Sequence, residues 1–228
     1  MDKTAAPFLL ESFIGSLYVA LQQAAQPNRR AGMEAYMRHQ FQFLGVDTTT
    51  RRLIFKHWLK NSEKIPYALL PACIGKMWQM EREMQYCAIE LALLYKNEWT
   101  EEFIETMEVC IITKSWWDTV DTIAANWCGT YFKKYPKQIK QTKKWNHSSN
   151  IWLQRSSILF QMKYKEATDT KMLTEYIVKV ASSNEFFLQK AVGWALREYA
   201  KTNPNWVKDF VTHHPLKPLS KREALKHF

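Results

Sequence analysis

The feature that most constrains this chain is a spacing. Gln85-Tyr86, Gln154-Arg155 and Gln189-Lys190 each stand within a helix-like segment, and the three glutamines are 69 and 35 residues apart. That is two periods and then one period of about 35 residues. Ile89 and Ile158 come four residues after the first two glutamines, and Tyr95-Lys96 and Tyr164-Lys165 come later. The third glutamine has Gly193 and Tyr199 at the same offsets. One period beyond Gln85 lies Val120, inside TKSWWDTVDTIAANW. Helix pairs repeating at this length bury, by stacking, surface that no single pair could bury.

The rest of the sequence is compatible with such a stack. Apolar residues recur at three- and four-residue spacing almost throughout, as amphipathic helices require. No alternating stretch is long enough to predict a strand. Only six glycines and eight prolines interrupt the pattern. Breaks fall near Pro27, Gly45 to Asp47, Pro66, Asn97, Thr113 to Ser115, Pro136, His147 to Asn150, Ala167 to Thr170, Ser182 to Asn184 and Pro204. Between them the pattern predicts about a dozen helices of roughly 10 to 18 residues. The expected fold is all-α: a right-handed α-α superhelix of HEAT-like repeats with a basic concave face, forming one domain over residues 1–228.

Composition narrows the partners. The net charge of +10 favours a polyanion, either nucleic acid or an anionic membrane surface. No apolar run approaches the roughly 18 residues of a membrane span. The amino terminus MDKTAAPFLLESF carries Asp2 and Glu11 and lacks the pattern of a signal peptide. A cytoplasmic protein is expected, with the bacterial nucleoid as its place of work on DNA. Cys73, Cys87, Cys110 and Cys128 form no C-x-x-C pair and read as buried free thiols. The histidines are scattered apart from His213-His214, so neither a metal site nor any cofactor is expected.

Helical register sorts the aromatic and charged residues by face. After Ser115, a candidate N-cap, Trp116, Val120, Ile123 and Trp127 form an i, i+4, i+7, i+11 stripe that reads as core. Trp117, Asp121, Ala125 and Cys128 lie on the neighbouring face, with Trp117 and Asp121 one turn apart. One period on, the position of Asp121 is taken by Arg155, and after another by Lys190. From Lys190 the same spacing continues through Trp194, Arg197 and Lys201, a cationic stripe that a packed interior would not accept. Stacked together, these helices would line one groove with a lone acid among bases and indoles.

Each member also has a plainer reading. Trp117 or Trp194 alone reads as packing, Asp121 alone as half of a surface ion pair, and the Lys190 stripe alone as a solvated face. Trp58, Trp78, Trp99, Trp127, Trp145, Trp152 and Trp206 are expected in the core or between repeats. Register by itself leaves site and packing open.

At these residues the chain resembles the AlkD family of alkylpurine DNA glycosylases. The matching stretches are YMRHQFQFLGV (36–46), TKSWWDTVD (113–121), NIWLQRSSILFQMKYK (150–165), EFFLQKAVGWALREYAKTNP (185–204) and PLSKREALKH (218–227). The resemblance implies helical repeats and excision of N3- and N7-alkylated purines, chiefly 3-methyladenine and 7-methylguanine, in base excision repair. It implies a catalytic cleft of Trp117, Asp121 and Trp194, with Arg155 near the backbone of the lesion. Tyr36, Lys163, Arg197 and Lys201 match positions of DNA contact, and Lys190 joins them from its place in the stripe. The family works in an open groove without flipping the base, so duplex DNA carrying alkylated purines is the expected partner and a monomer the expected state. Two competing readings are a catalytically silent DNA-binding relative and a HEAT-type scaffold for a protein partner. Two departures stand out. Thr49 occupies a position where a proline is expected, and the chain ends at Phe228, earlier than other members, with a shortened last helix expected to leave the cleft intact.

The chemistry suits these residues. An N3- or N7-alkylated purine already carries a positive charge and leaves as a neutral base, so no general acid is needed. One carboxylate could then do the work for which sugar hydrolysis generally uses two. Asp121 would stabilise the sugar cation and orient water, the two indoles would face the cationic base, and Arg155, Lys163, Arg197 and Lys201 would hold phosphates.

Overall fold

A computed structural model describes residues 5–228, and Asp2 of the amino-terminal pattern lies outside them. Among the described residues the elements are helices and turns, with no strand. The all-helical architecture expected from the spacing is the one observed. No described helix is long and apolar enough to cross a membrane. The chain divides into two compact units, residues 1–100 and 101–228.

The first unit contains α1 (Ala5–Gln23), α2 (Pro27–Tyr36), α3 (Thr48–Asn61), α4 (Leu70–Trp78) and α5 (Arg82–Leu94). Its core gathers Leu17, Leu21, Phe43, Leu70, Cys73, Ile74, Met77 and Trp78, each almost fully buried. Two carboxylates set the path of the chain between α2 and α3. The buried Glu83 accepts hydrogen bonds from the amides of Leu44, Gly45 and Val46 at 2.9–3.0 Å. Asp47 accepts from the Thr50 amide at 3.0 Å and so caps α3. The helix therefore starts at Thr48, and a proline at position 49 is unnecessary because the cap supplies the start signal. Gly45 has φ of +93°, and a Cβ there would lie 2.3 Å from the Gln26 carbonyl oxygen, so only glycine fits.

The second unit contains α6 (Phe103–Ile112), α7 (Trp117–Thr122), α8 (Gly129–Lys134), α9 (Lys140–Asn146), α10 (Ile151–Leu159), α11 (Thr170–Val180), α12 (Phe186–Ala200), α13 (Pro204–His213) and α14 (Pro218–Ala224). A π-helical segment, Ile123–Cys128, joins α7 to α8. Helix α10 packs against both α7 and α12, which places those three elements side by side. The 35-residue spacing has a concrete meaning here. Val120, Gln154 and Gln189 are each the fourth residue of their helix, as Gln85 is of α5. The repeat thus marks helix starts.

Val120, Ile123 and Trp127 are fully buried, as the register requires, and Trp116 is half-buried. On the next face Cys128 is fully buried, as expected of a buried thiol, while Ala125 is half-buried; the π-helical segment puts more residues in each turn and rotates the positions beyond Asp121. Ser115 does not cap α7 either. Its hydroxyl donates back to the Ile111 carbonyl at 2.6 Å, and Trp116 occupies the cap position without a side-chain capping bond.

Trp58, Trp78, Trp99, Trp127 and Trp145 are buried as expected, and Trp152 and Trp206 half-buried. All four cysteines are free and buried. Burial pushes the Cys73 thiol up to about 12 and that of Cys87 to about 11, which keeps them inert.

Candidate active site

The site is built from one side chain on each of three neighbouring helices. Asp121 stands near the end of α7, just before the π-helical segment. Arg155 projects from α10 and Trp194 from α12. The Arg155 guanidinium grips the Asp121 carboxylate with both arms. Nε donates to Oδ1 at 2.6 Å and Nη2 to Oδ2 at 2.7 Å. Its remaining nitrogen, Nη1, donates to the Phe187 carbonyl at the first turn of α12. The same guanidinium lies 5.3 Å from the centre of the Trp194 ring.

Burial differs along this line. The Arg155 side chain is 1 % exposed and that of Asp121 18 %, so the cation is sealed and the carboxylate reaches the rim. Burial pushes the Asp121 carboxyl above the ordinary aspartate value of 3.8, the Arg155 charge pulls it back, and Asp118 adds a smaller upward push. Both carboxylate oxygens accept hydrogen bonds from the Arg155 guanidinium, the arrangement that favours the charged form.

In this structure the Arg155 guanidinium, expected near the backbone of the lesion, is buried and bonds Asp121 and Phe187. It holds the candidate catalytic acid in place. The register does place Arg155 one period after Asp121. It cannot show that side chains on adjacent repeats point at one another.

Trp194 sits among cations. The Lys190 ammonium lies 5.2 Å from its ring centre and the Arg197 guanidinium 5.9 Å. Both also bind Glu223 of α14, at 3.0 and 3.1 Å, and the Trp194 Nε1–H donates to the same carboxylate at 3.3 Å. Lys190 and the tryptophan hydrogen bond hold the Glu223 carboxyl below the usual glutamate range, with Arg197 assisting. The cleft therefore contains two acids, and the expected lone acid does not hold. Sequence reasoning misses Glu223 because it lies in another helix, although the stretch PLSKREALKH contains only that one acid. The last helix thus brings Glu223 to Lys190, Arg197 and Trp194.

The remaining expected residues divide. Trp117 opens α7 one turn before Asp121 and is half-buried. Lys163 is exposed, and its ammonium bonds the Asn126 side chain of the π-helical segment. Lys201 is exposed and pairs with Glu198 of its own helix at 2.6 Å, away from the Glu223 cluster. Tyr36 ends α2 in the first unit with 69 % of its surface exposed. Beside the site, Trp116, Trp152 and Phe187 form an aromatic triangle with ring centres 4.9–5.8 Å apart, which fixes the backbone that Arg155 binds.

Stacked helices with a carboxylate clamped by a buried arginine beside a cation-ringed indole define an α-helical repeat protein with a charged aromatic cleft. The chain belongs to the DNA alkylation repair enzyme family, whose model matches residues 18–228. It is similar to the solved structure of a predicted DNA alkylation repair enzyme from Enterococcus faecalis. The two share 34 % identity and a TM-score of 0.83, over 90 % of this chain and 96 % of that one. No curated protein matches the chain.

Proposed function

We propose that the protein is a DNA glycosylase that hydrolyses the N-glycosidic bond of cationic N3- and N7-alkylated purines in duplex DNA. The observation that carries this reading is the two-armed Asp121–Arg155 pair, whose guanidinium also lies against Trp194. That arrangement holds one carboxyl group, gripped through both oxygens, at the rim of an electron-rich cleft.

As the C1′–N bond breaks, its electron pair goes to the purine, which leaves neutral. The sugar is left positive. Asp121 faces that charge, and two unit charges at about 4 Å and an effective dielectric near 20 attract by about 4 kcal/mol. The Arg155 charge beside it subtracts from this attraction, so its contribution is orientation. Water adds its oxygen to C1′ and gives its proton to Asp121 or to solvent. Trp117 and Trp194 offer their ring faces to the sugar and the cationic base, each contact contributing about 0.5–2 kcal/mol. Tyr36, Lys163 and Lys201 serve the DNA backbone, with Lys190 and Arg197 beside the cleft held by Glu223, and this reading requires no base flipping, no metal and no second subunit.

Incubation with methylated duplex DNA tests the reading by its release of free 7-methylguanine. An Asp121→Asn variant should bind the same DNA and release little. Equal release from both proteins would remove Asp121 from the chemistry. DNA binding with no release from the unaltered protein would support the silent-relative reading instead.

A further inference from the structure

Glu223 has no role in the proposed chemistry, yet the fold goes to some length to place it. A Cβ on Gly193 would lie 2.4 Å from the Glu223 Cβ and 3.0 Å from the Ser220 carbonyl oxygen. Gly193 directly precedes Trp194, so the bare backbone lets α14 settle onto α12 at the indole. Ser220 reinforces the approach, its hydroxyl donating to the Gln189 carbonyl at 3.0 Å. Glu223 is then 13 % exposed and satisfied by three donors, Lys190, Arg197 and the Trp194 Nε1–H.

We propose that Glu223 is a positioning and specificity-determining residue, which binds and neutralises Lys190 and Arg197 beside Trp194 and so leaves the cleft able to receive a cationic base. The proposal rests on the glycosylase reading for its substrate. Arg155, Lys190 and Arg197 all lie within 6 Å of the Trp194 ring centre. With Asp121 and Glu223 ionised, this group carries one net positive charge. Without Glu223 it carries two, and a positively charged purine approaching the indole is repelled. Glu223 also holds its two cations as a phosphate would. Releasing them gives the DNA backbone two more donors, and binding becomes tighter but less discriminating.

The test is Glu223→Gln in the full chain, with two duplex probes. One carries 7-methylguanine on a 2′-fluoro sugar, which resists cleavage, and the other carries guanine at that position. The variant is expected to bind the guanine duplex about threefold to tenfold more tightly at low salt. The slope of log affinity against log salt should steepen by about 1–2, at about 0.9 per phosphate contact. Its preference for the methylated probe and its release of 7-methylguanine should both fall, the release by about tenfold. Glu223→Asp keeps the charge and should keep the unaltered slope. An unchanged or shallower slope in Glu223→Gln, or a variant that fails to fold, assigns Glu223 to packing and overturns the proposal. If the unaltered protein releases no 7-methylguanine, the glycosylase reading fails separately, while the slope still reports whether Glu223 restrains Lys190 and Arg197.

Discussion

Arg155 and Asp121 meet through two parallel hydrogen bonds of 2.6 and 2.7 Å, the cation fully buried and the carboxylate at the rim. An acid held this way cannot turn toward solvent or swing between rotamers. The pair links α7 to α10, and the third bond of Arg155 extends the tie to α12. One side chain therefore joins three successive repeats at the place where chemistry is proposed.

Breaking this pair should be costly. Arg155→Ala leaves Asp121 without its partner and removes a tie between helices, and should destabilise the protein by about 3–5 kcal/mol. Lys163→Ala removes an exposed side chain and should stay within about 0.5 kcal/mol. Urea unfolding of both variants checks the contrast, and an equally mild loss for Arg155 would contradict the clamp.

The acid limb of activity should lie above the ordinary aspartate range. Burial raises the folded Asp121 value above 3.8, and the reaction uses the carboxylate, so activity is present at neutral pH and lost as pH falls through the raised value. A profile of 7-methylguanine release against pH, corrected for spontaneous depurination, measures the limb. A limb at or below the ordinary value would mean that Arg155 outweighs burial.

Gly193 should not tolerate a side chain. An alanine Cβ would press on Glu223 and on the Ser220 backbone, and only a shift of α14 relieves the clash. Gly193→Ala should cost about 1–3 kcal/mol and lower the melting temperature by roughly 2–4 °C for each kcal/mol. An unchanged melting curve would show that α14 is held less tightly than its contacts imply.

In the first unit, Glu83→Gln should loosen the loop between α2 and α3. The amide side chain cannot accept at both ends, so at least one of the Leu44, Gly45 and Val46 amides loses its partner in a buried place. A cost of about 2–3 kcal/mol is expected, read by unfolding and by faster hydrogen exchange at those amides.

Much of this is legible in the sequence. The 35-residue spacing marks helix starts, and Pro27, Asp47, Pro136 and Pro204 each border a helix as their backbone chemistry requires. Register puts Asp121, Arg155 and Lys190 at equivalent positions of successive repeats, with Trp194 one turn beyond Lys190. The burial of Arg155 is not legible. A cation on a repeat helix reads as solvated until a partner from the next repeat is known. Glu223 is not legible either: one period past Gln189 falls on Ala224 in α14, but spacing does not show which side chain of α12 the neighbouring Glu223 meets.

The sequence alone determined the local part: which segments are helical, where they begin, and which residues share a helix face. These features arise from propensity, capping and periodicity, which act within about a dozen residues. Tertiary packing decided the pairings. A π-helical segment rotated the residues after Asp121, a missing side chain at Gly193 admitted α14, and burial sealed the Arg155 guanidinium against Asp121. Such outcomes depend on the shape and charge of whatever lies opposite, and a residue's neighbours along the chain carry no record of that.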